Sequence, residues 1–282
     1  MNEVIDFKGE KYTLKKKIGK GRYGQTWLAE SNGRKIAVKK IVLDPDKEWD
    51  KGKTWDKGKY LTTNRRNFRR ETKLAEEINR NKCPALIKYL GTVKGPDNIR
   101  YILMEYFQGY NLTAYIGCSR KTKFVINPDQ FLNMAKHLFR GLACLHNVGI
   151  AHTDIHGNNI MFNKKEMKIV DFGLLCTMPP SSKKYFSCYK DHHTEEDYDG
   201  LVELHGPVYT REEYPFQDDV QTMAYQLGHV AGNQFEIVYK KDPRTSKIIK
   251  WLYDLRSTPP KYTTQKALDI LERISGTSKY LY

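Results

Sequence analysis

The sequence predicts an α+β fold in two lobes, a β-rich N-lobe followed by a mainly helical C-lobe. Short apolar runs separated by glycine turns fill residues 12 to 42. Apolar residues at helical spacing dominate from about residue 127 onward. Strands and helices segregated along a chain pack as separate layers, which here implies two lobes around a cleft. The 282 residues suffice for one such domain with a sizeable core. The expected boundaries are an N-lobe at about 10–105, a hinge at about 105–111 and a C-lobe at about 112–282, all within one domain spanning 1–282.

The elements follow in chain order. Tyr12 to Ile18 reads as a strand that turns through Gly19, Gly21 and Gly24 into a second strand, Gln25 to Ala29. Asn32-Gly33 is a two-residue hairpin signal, because both central positions of that turn need positive φ. Ile36 to Val42 is a third, mostly apolar strand. Residues 44 to 64 break the pattern with two copies of Trp-Asp-Lys-Gly-Lys, at 49–53 and 55–59, and read as a surface loop. Phe68, Leu74, Ala75 and Ile78 set a helix over 65–81, and two short strands are expected near 86–93 and 99–104. Asn127-Pro128-Asp129 opens a helix that runs through Phe131, Met134, Ala135, Leu138, Leu142 and Leu145 to His146. Short strands at 160–162 and 168–170 precede a long irregular stretch to about Phe216, then helices near 218–231, 245–256 and 264–274.

Composition narrows the class. The balance of apolar and charged residues is that of a globular chain, and no apolar run approaches the roughly 20 residues of a membrane-spanning helix. The first residues carry neither a basic nor an apolar leader segment, so no secretory signal is expected. The five cysteines are odd in number and lack CxxC spacing, which predicts reduced thiols, no disulfide framework and a cytoplasmic setting. Of the net charge of +15, residues 1–80 hold 22 Lys/Arg against 12 Asp/Glu. So basic an N-terminal third suits an acidic protein substrate, nucleic acid or an anionic membrane surface, with a merely solvated basic face as the plain alternative. Oligomeric state is not legible.

Four motifs carry chemistry. Gly19-Lys20-Gly21-Arg22-Tyr23-Gly24 lies between two strands, where glycines let backbone N–H groups approach phosphate oxygens. A dinucleotide site would need a helix to follow, and a strand follows instead. Lys39 sits late in the third strand, placed to bring an ammonium to phosphates. His152-Thr153-Asp154-Ile155-His156-Gly157-Asn158-Asn159 follows the long helix. Phosphoryl transfer to a hydroxyl needs a carboxylate to orient it and accept its proton, and oxygen ligands for Mg²⁺; Asp154 and Asn159 supply both types five residues apart. A zinc reading of His152 and His156 is disfavoured by the glycine and asparagine content, which argues against a continuous helix. Asp171-Phe172-Gly173 places a further carboxylate where a buried strand meets a glycine turn.

In this order and spacing the motifs resemble the signature set of eukaryotic-type protein kinases, over about Tyr12 to Ile274. The resemblance implies an ATP-dependent protein kinase using Mg²⁺, with serine/threonine acceptors favoured. It assigns Gly19, Gly21 and Gly24 to the loop over the ATP phosphates, Lys39 to the phosphate-binding lysine and Glu71 to its helical partner. Met104 becomes the gatekeeper, the Glu105 and Phe107 backbones bond adenine, and Thr26, Ala37 and Met161 sandwich its ring. Asp154 is the catalytic aspartate, Asn159 and Asp171 are the Mg²⁺ ligands, and Asp219 opens the helix that anchors the catalytic loop.

Departures qualify the match. Thr153 replaces the usual arginine beside the catalytic aspartate, which puts control by loop phosphorylation in doubt. His156 replaces lysine and makes phosphate stabilisation weaker or pH-sensitive. No Ala-Pro-Glu motif is present; Gly206-Pro207-Val208 is the nearest match. Pro259-Pro260-Lys261-Tyr262 and the compact C-lobe resemble casein kinase 1 and vaccinia-related kinases. Two other readings stay open: a small-molecule phosphotransferase of kinase-like fold, which His156-Gly157 would suit, and a pseudokinase scaffold, which the presence of Lys39, Asp154, Asn159 and Asp171 opposes.

Overall fold

The computed structural model describes residues 3–21, 24–43, 57–122, 126–163, 166–177, 214–232, 234–257 and 262–276. Its contacts divide into two compact units. One comprises Met1–Lys82 and Ile87–Gln108; the other comprises Cys83–Leu86 and Gly109–Tyr282.

The first unit is built on an antiparallel six-stranded sheet in the order β1-β2-β3-β4-β6-β5. Its strands are β1 (Val4–Phe7), β2 (Glu10–Gly21), β3 (Gly24–Ser31), β4 (Arg34–Val42), β5 (Tyr89–Lys94) and β6 (Ile99–Glu105). The Asn32-Gly33 turn has φ of 46° and 80°, as its two residues predict. A second such turn, at Lys8-Gly9, adds β1, a strand absent from the sequence reading. One face of the sheet packs Ile5, Tyr12, Leu14, Ala29, Ile36, Val38, Tyr101 and Leu103 together.

Helix α1 runs from Lys57 to Arg80. It therefore starts eight residues before the expected 65 and takes in the Lys57-Gly58-Lys59 end of the second tryptophan repeat; residues 44–56 lie outside the described residues. One glycine costs a helix about 1 kcal/mol relative to alanine, a penalty that a 24-residue helix with lysine and leucine around it absorbs. Leu74, Ala75 and Ile78 are buried, and Asn79 clamps the Tyr89 backbone, donating to its carbonyl and accepting from its N–H.

The second unit holds β7 (Tyr110–Asn111), α2 (Leu112–Thr122), α3 (Pro128–His146), β8 (Ile150–Ala151), a 3-10 turn (Gly157–Asn159), β9 (Ile160–Phe162), β10 (Met167–Ile169) and β11 (Cys176–Thr177). Helices α4 (Tyr214–Ala231), α5 (Gln234–Val238), α6 (Pro243–Arg256) and α7 (Thr264–Gly276) follow. Asn127 caps α3: its side chain accepts from Gln130 N, and Gln130 returns a bond to the Asn127 N–H. The predicted stripe from Phe131 to Leu145 is buried, each large side chain contributing about 1.5–3 kcal/mol. Gly141 has no room for a side chain, because a Cβ would meet Ile169 Cδ1 at 2.9 Å. Among the described side chains of α2, Leu112 and Ile116 are the buried large residues, too thin a stripe to read from sequence.

The thiol expectation is corrected. Cys83 and Cys144 form a disulfide, with Cα atoms 6.3 Å apart, and Cys176 is disulfide-bonded as well. The 61-residue separation carries no sequence signature; the fold brings the two together by laying Cys83–Leu86 along α3. Ile169 N donates to the Ala85 carbonyl and Leu86 bridges Ile169, so this short segment is also hydrogen-bonded into the helical unit.

Burial, and then the neighbouring Asp219 carboxylate, push the Asp218 carboxyl up to about 6. A raised carboxylate pKa means the unfolded chain releases its proton first. The group therefore costs nothing below about pH 4, and its penalty is complete above about pH 6. Asp218→Asn should raise stability by about 1–3 kcal/mol at pH 7.5 and change it little at pH 4. Urea unfolding at the two pH values checks this; an unchanged pH 7.5 midpoint would contradict it.

Candidate active site

In the strand-rich unit, β4 brings Lys39 and α1 brings Glu71 to one buried point. Lys39 is 8% and Glu71 3% exposed, and Lys39 Nζ donates to both Glu71 carboxylate oxygens at 3.0 Å. Glu76, a later acidic residue on the same helix, is exposed, and Glu77 is half-buried. A pair this dry costs much of its Coulomb gain in desolvation, so its value is in fixing an ammonium and a helix relative to each other.

The glycines of the turn differ from one another. A Cβ on Gly24 would stand 2.5 Å from the Lys40 carbonyl oxygen, so the sheet itself demands glycine there. Gly19 would tolerate a Cβ at ordinary contact distance from Thr26, and Gly21 has open space. Thr26 pairs with Lys39 and Ala37 with Met104 in the sheet register. The Glu105 N–H donates to the Lys88 carbonyl, and its side chain accepts from Lys88 N. Phe107 is buried just beyond the end of β6.

In the helical unit the loop from His152 to Asn159 is organised by Asp219. This fully buried carboxylate, on α4, accepts from His152 N at 2.6 Å, Thr153 N at 2.8 Å and His146 Nε2 at 3.0 Å. The His152 ring, also fully buried, donates from Nε2 to the Val170 carbonyl and accepts from Asp154 N at Nδ1. Both nitrogens are thus committed to the loop, which leaves the two-histidine zinc reading without its first ligand. Asn159 Nδ2 donates to the Asp154 backbone carbonyl and to Asp154 Oδ2, both at 3.0 Å. His156 accepts from Asn158 N at Nδ1 and places Nε2 3.5 Å from Asp154 Oδ2. Gly157 is required by α2: a Cβ would meet Thr113 Oγ1 at 2.5 Å.

Asp171 has φ of 64° and accepts from Gly173 N at Oδ1. Asn159 holds the strand before it, its carbonyl accepting from Val170 N. With its amide nitrogen spent on Asp154, Asn159 has its amide oxygen to offer. An amide oxygen and a carboxylate are a donor set that fits a hard divalent cation. Met161 lies on β9, paired with Asn111 and Lys168. A separate pocket of about 710 Å³ opens within this unit beside Tyr115, Met134, Phe162 and Met167, and none of the predicted site residues lines it.

Sequence reasoning missed the role of His146 and of Thr264, whose Oγ1 lies 2.5 Å from His146 Nδ1. A histidine ending an apolar helix and a threonine opening another carry no signal until the fold joins them. Gly206-Pro207-Val208 and Pro259-Pro260-Lys261 lie outside the described residues.

The family model described as Protein kinase domain matches residues 12–198. The chain is 30% identical over 183 residues to cyclin-dependent kinase 12 of Caenorhabditis elegans, covering 62% of this chain and 23% of that protein. It is 31% identical over 163 residues to mitogen-activated protein kinase kinase kinase 3 of Arabidopsis thaliana, covering 55% and 22%. It is 26% identical over 204 residues to serine/threonine-protein kinase 1 of the same plant, covering 69% and 22%. The chain thus spans less than a quarter of the length of these relatives.

The Lys39–Glu71 pair has an energetic signature. Glu71→Leu takes from a buried ammonium the carboxylate that it donates to twice and should cost about 3–5 kcal/mol, whereas the double variant Lys39→Met/Glu71→Leu should recover most of that loss. Urea unfolding of both variants measures it; equal losses would mean the pair is not buried in solution.

Proposed function

The chain belongs to the protein kinase domain family, and on that footing we propose that it transfers the γ-phosphoryl group of ATP to serine and threonine hydroxyls of proteins, using Mg²⁺. The observation that carries the proposal is the clasp between Asp154 and Asn159. One amide group fixes the carboxylate through both its side chain and its backbone carbonyl, and leaves its own oxygen for a cation.

The chemistry follows from those groups. The Asp154 side chain is about one-third exposed, so a substrate hydroxyl can reach it. With Oδ2 held by Asn159, Oδ1 accepts the hydroxyl hydrogen, orients the oxygen toward the γ-phosphorus and takes the proton as the new P–O bond forms. The bond to the β-phosphate oxygen breaks and ADP leaves. Lys39, fixed by Glu71, supplies positive charge for the nucleotide phosphates. Bound Mg²⁺ would neutralise charge on the phosphates, held by Asn159 and Asp171. The relatives' names support a protein acceptor, and the basic N-terminal third supports an acidic one.

Incubation with Mg-ATP followed by mass spectrometry should find phosphate on serine or threonine, in the chain itself or in a generic protein. Asp154→Asn should lower turnover at least roughly a hundredfold while leaving ATP binding near wild type. Wild-type turnover in that variant would remove Asp154 from its role, and phosphate found only on small molecules would favour the small-molecule reading.

Thr153 in place of arginine leaves an activation-segment phosphate without the guanidinium that usually pairs with it. Phosphatase treatment should therefore leave activity within a few-fold. Loss of activity on dephosphorylation, regained on rephosphorylation at Thr177, Ser181, Ser182 or Thr194, would contradict this.

A further inference from the structure

Thr153 is a β-branched residue at φ 58°, in the left-handed region that such side chains avoid. Two bonds hold it there. Its N–H donates to Asp219 Oδ1 at 2.8 Å, and its hydroxyl donates to the Leu174 carbonyl at 2.6 Å. The second bond crosses from the loop that bears Asp154 to the turn that follows Asp171.

The turn is thereby held on both sides of Asp171. Upstream, Val170 is gripped twice: its N–H donates to the Asn159 carbonyl, and its carbonyl accepts from His152 Nε2. Downstream, Leu174 is gripped by Thr153. Beyond it the chain enters β11, which pairs with β8 directly before His152. Between these anchors Asp171 also has positive φ, at 64°, with its carboxylate turned back to Gly173 N. A backbone in that region needs support from its surroundings, and the hydroxyl of Thr153 provides it on the side where the chain leaves.

We propose that Thr153 is a positioning residue for Asp171: its hydroxyl, acting through the Leu174 carbonyl, sets the carboxylate where a divalent cation with bound nucleotide needs it. This rests on the phosphoryl-transfer reading for the identity of the ligand, and it goes beyond that reading by giving a role to a residue that departs from the family pattern. An arginine at this position would reach outward to a phosphate; the threonine reaches inward, and the metal-binding turn is tied to the catalytic loop without any modification.

The test uses the full chain and reads binding, not turnover. ADP binding is measured by calorimetry at stepped Mg²⁺ concentrations. Thr153→Val removes the hydroxyl at nearly constant shape and should raise the Mg²⁺ concentration for half-maximal binding about tenfold, the scale of one lost hydrogen bond. Thr153→Ser should recover most of that loss. Thr153→Gly guards against a folding artefact, since glycine adopts positive φ freely yet lacks the hydroxyl, and it should show the same weakening. Wild-type Mg²⁺ dependence in Thr153→Val or Thr153→Gly overturns the proposal, as does nucleotide binding that ignores Mg²⁺ in every variant. If the wild type binds Mg-ADP with the expected pattern of variants but never transfers phosphate, the positioning role stands and the kinase activity fails.

Discussion

One carboxylate organises the helical unit. Asp219 is removed from solvent entirely, and it is tolerable there because three N–H groups converge on it. Removing a carboxylate from water costs several kcal/mol, and that cost is offset only when the donors are in place. The constraint runs in both directions. The loop at His152 and Thr153 takes its path because Asp219 holds two successive N–H groups, and α4 is held against α3 because His146 supplies the third donor. His146 extends the set to Thr264 at the start of α7, while Phe216 packs 4.6 Å from its ring. Elements distant in sequence thus answer to a single charge.

The strand-rich unit uses the same device with a different partner. Glu71 is buried against an ammonium instead of backbone N–H groups, and the pair sets β4 and α1 in register. The Lys39–Glu71 pair is not chiefly a source of stability, because apolar side chains of equal volume would serve as well or better, whereas Asp219 cannot be so replaced without orphaning two backbone N–H groups. What each supplies is direction: the pair fixes an ammonium relative to a helix, and Asp219 fixes the path of the loop that carries Asp154. The His152 ring extends this logic, spending one nitrogen on Asp154 N and the other on Val170 O and so fixing the distance between two loops.

Much of this was legible in the sequence, for physical reasons that particular residues show. Asn32-Gly33 announced its turn because few other pairs accept two positive φ values. Asn127-Pro128 announced α3 because a side-chain cap and a fixed φ mark a helix start. Glu71 was legible because, among the acidic residues of its helix, it leaves a longer run of helix before Cys83-Pro84 than Glu76 or Glu77. What stayed hidden depends on packing between distant segments. Strand β1 is four residues long and needs β2 beside it to exist. Among its described side chains, helix α2 has two large buried ones, Leu112 and Ile116. The early start of α1 runs through a glycine and a charged repeat that read as loop. Thr153 read as the loss of an arginine, and its bond to Leu174 became visible only in three dimensions.

The disulfide between Cys83 and Cys144 changes the covalent path of the chain. It closes a ring that contains β5, β6, β7, α2 and nearly all of α3. The chain passes between the two units at Lys82–Cys83, Leu86–Ile87 and Gln108–Gly109, and the last two of these lie inside that ring. A protease that nicks the chain there, or anywhere else between the two cysteines, cannot release a fragment: both pieces remain one molecule, migrating together until a reductant is added. A cut at Gln108–Gly109 therefore parts the chain only when reduction accompanies it.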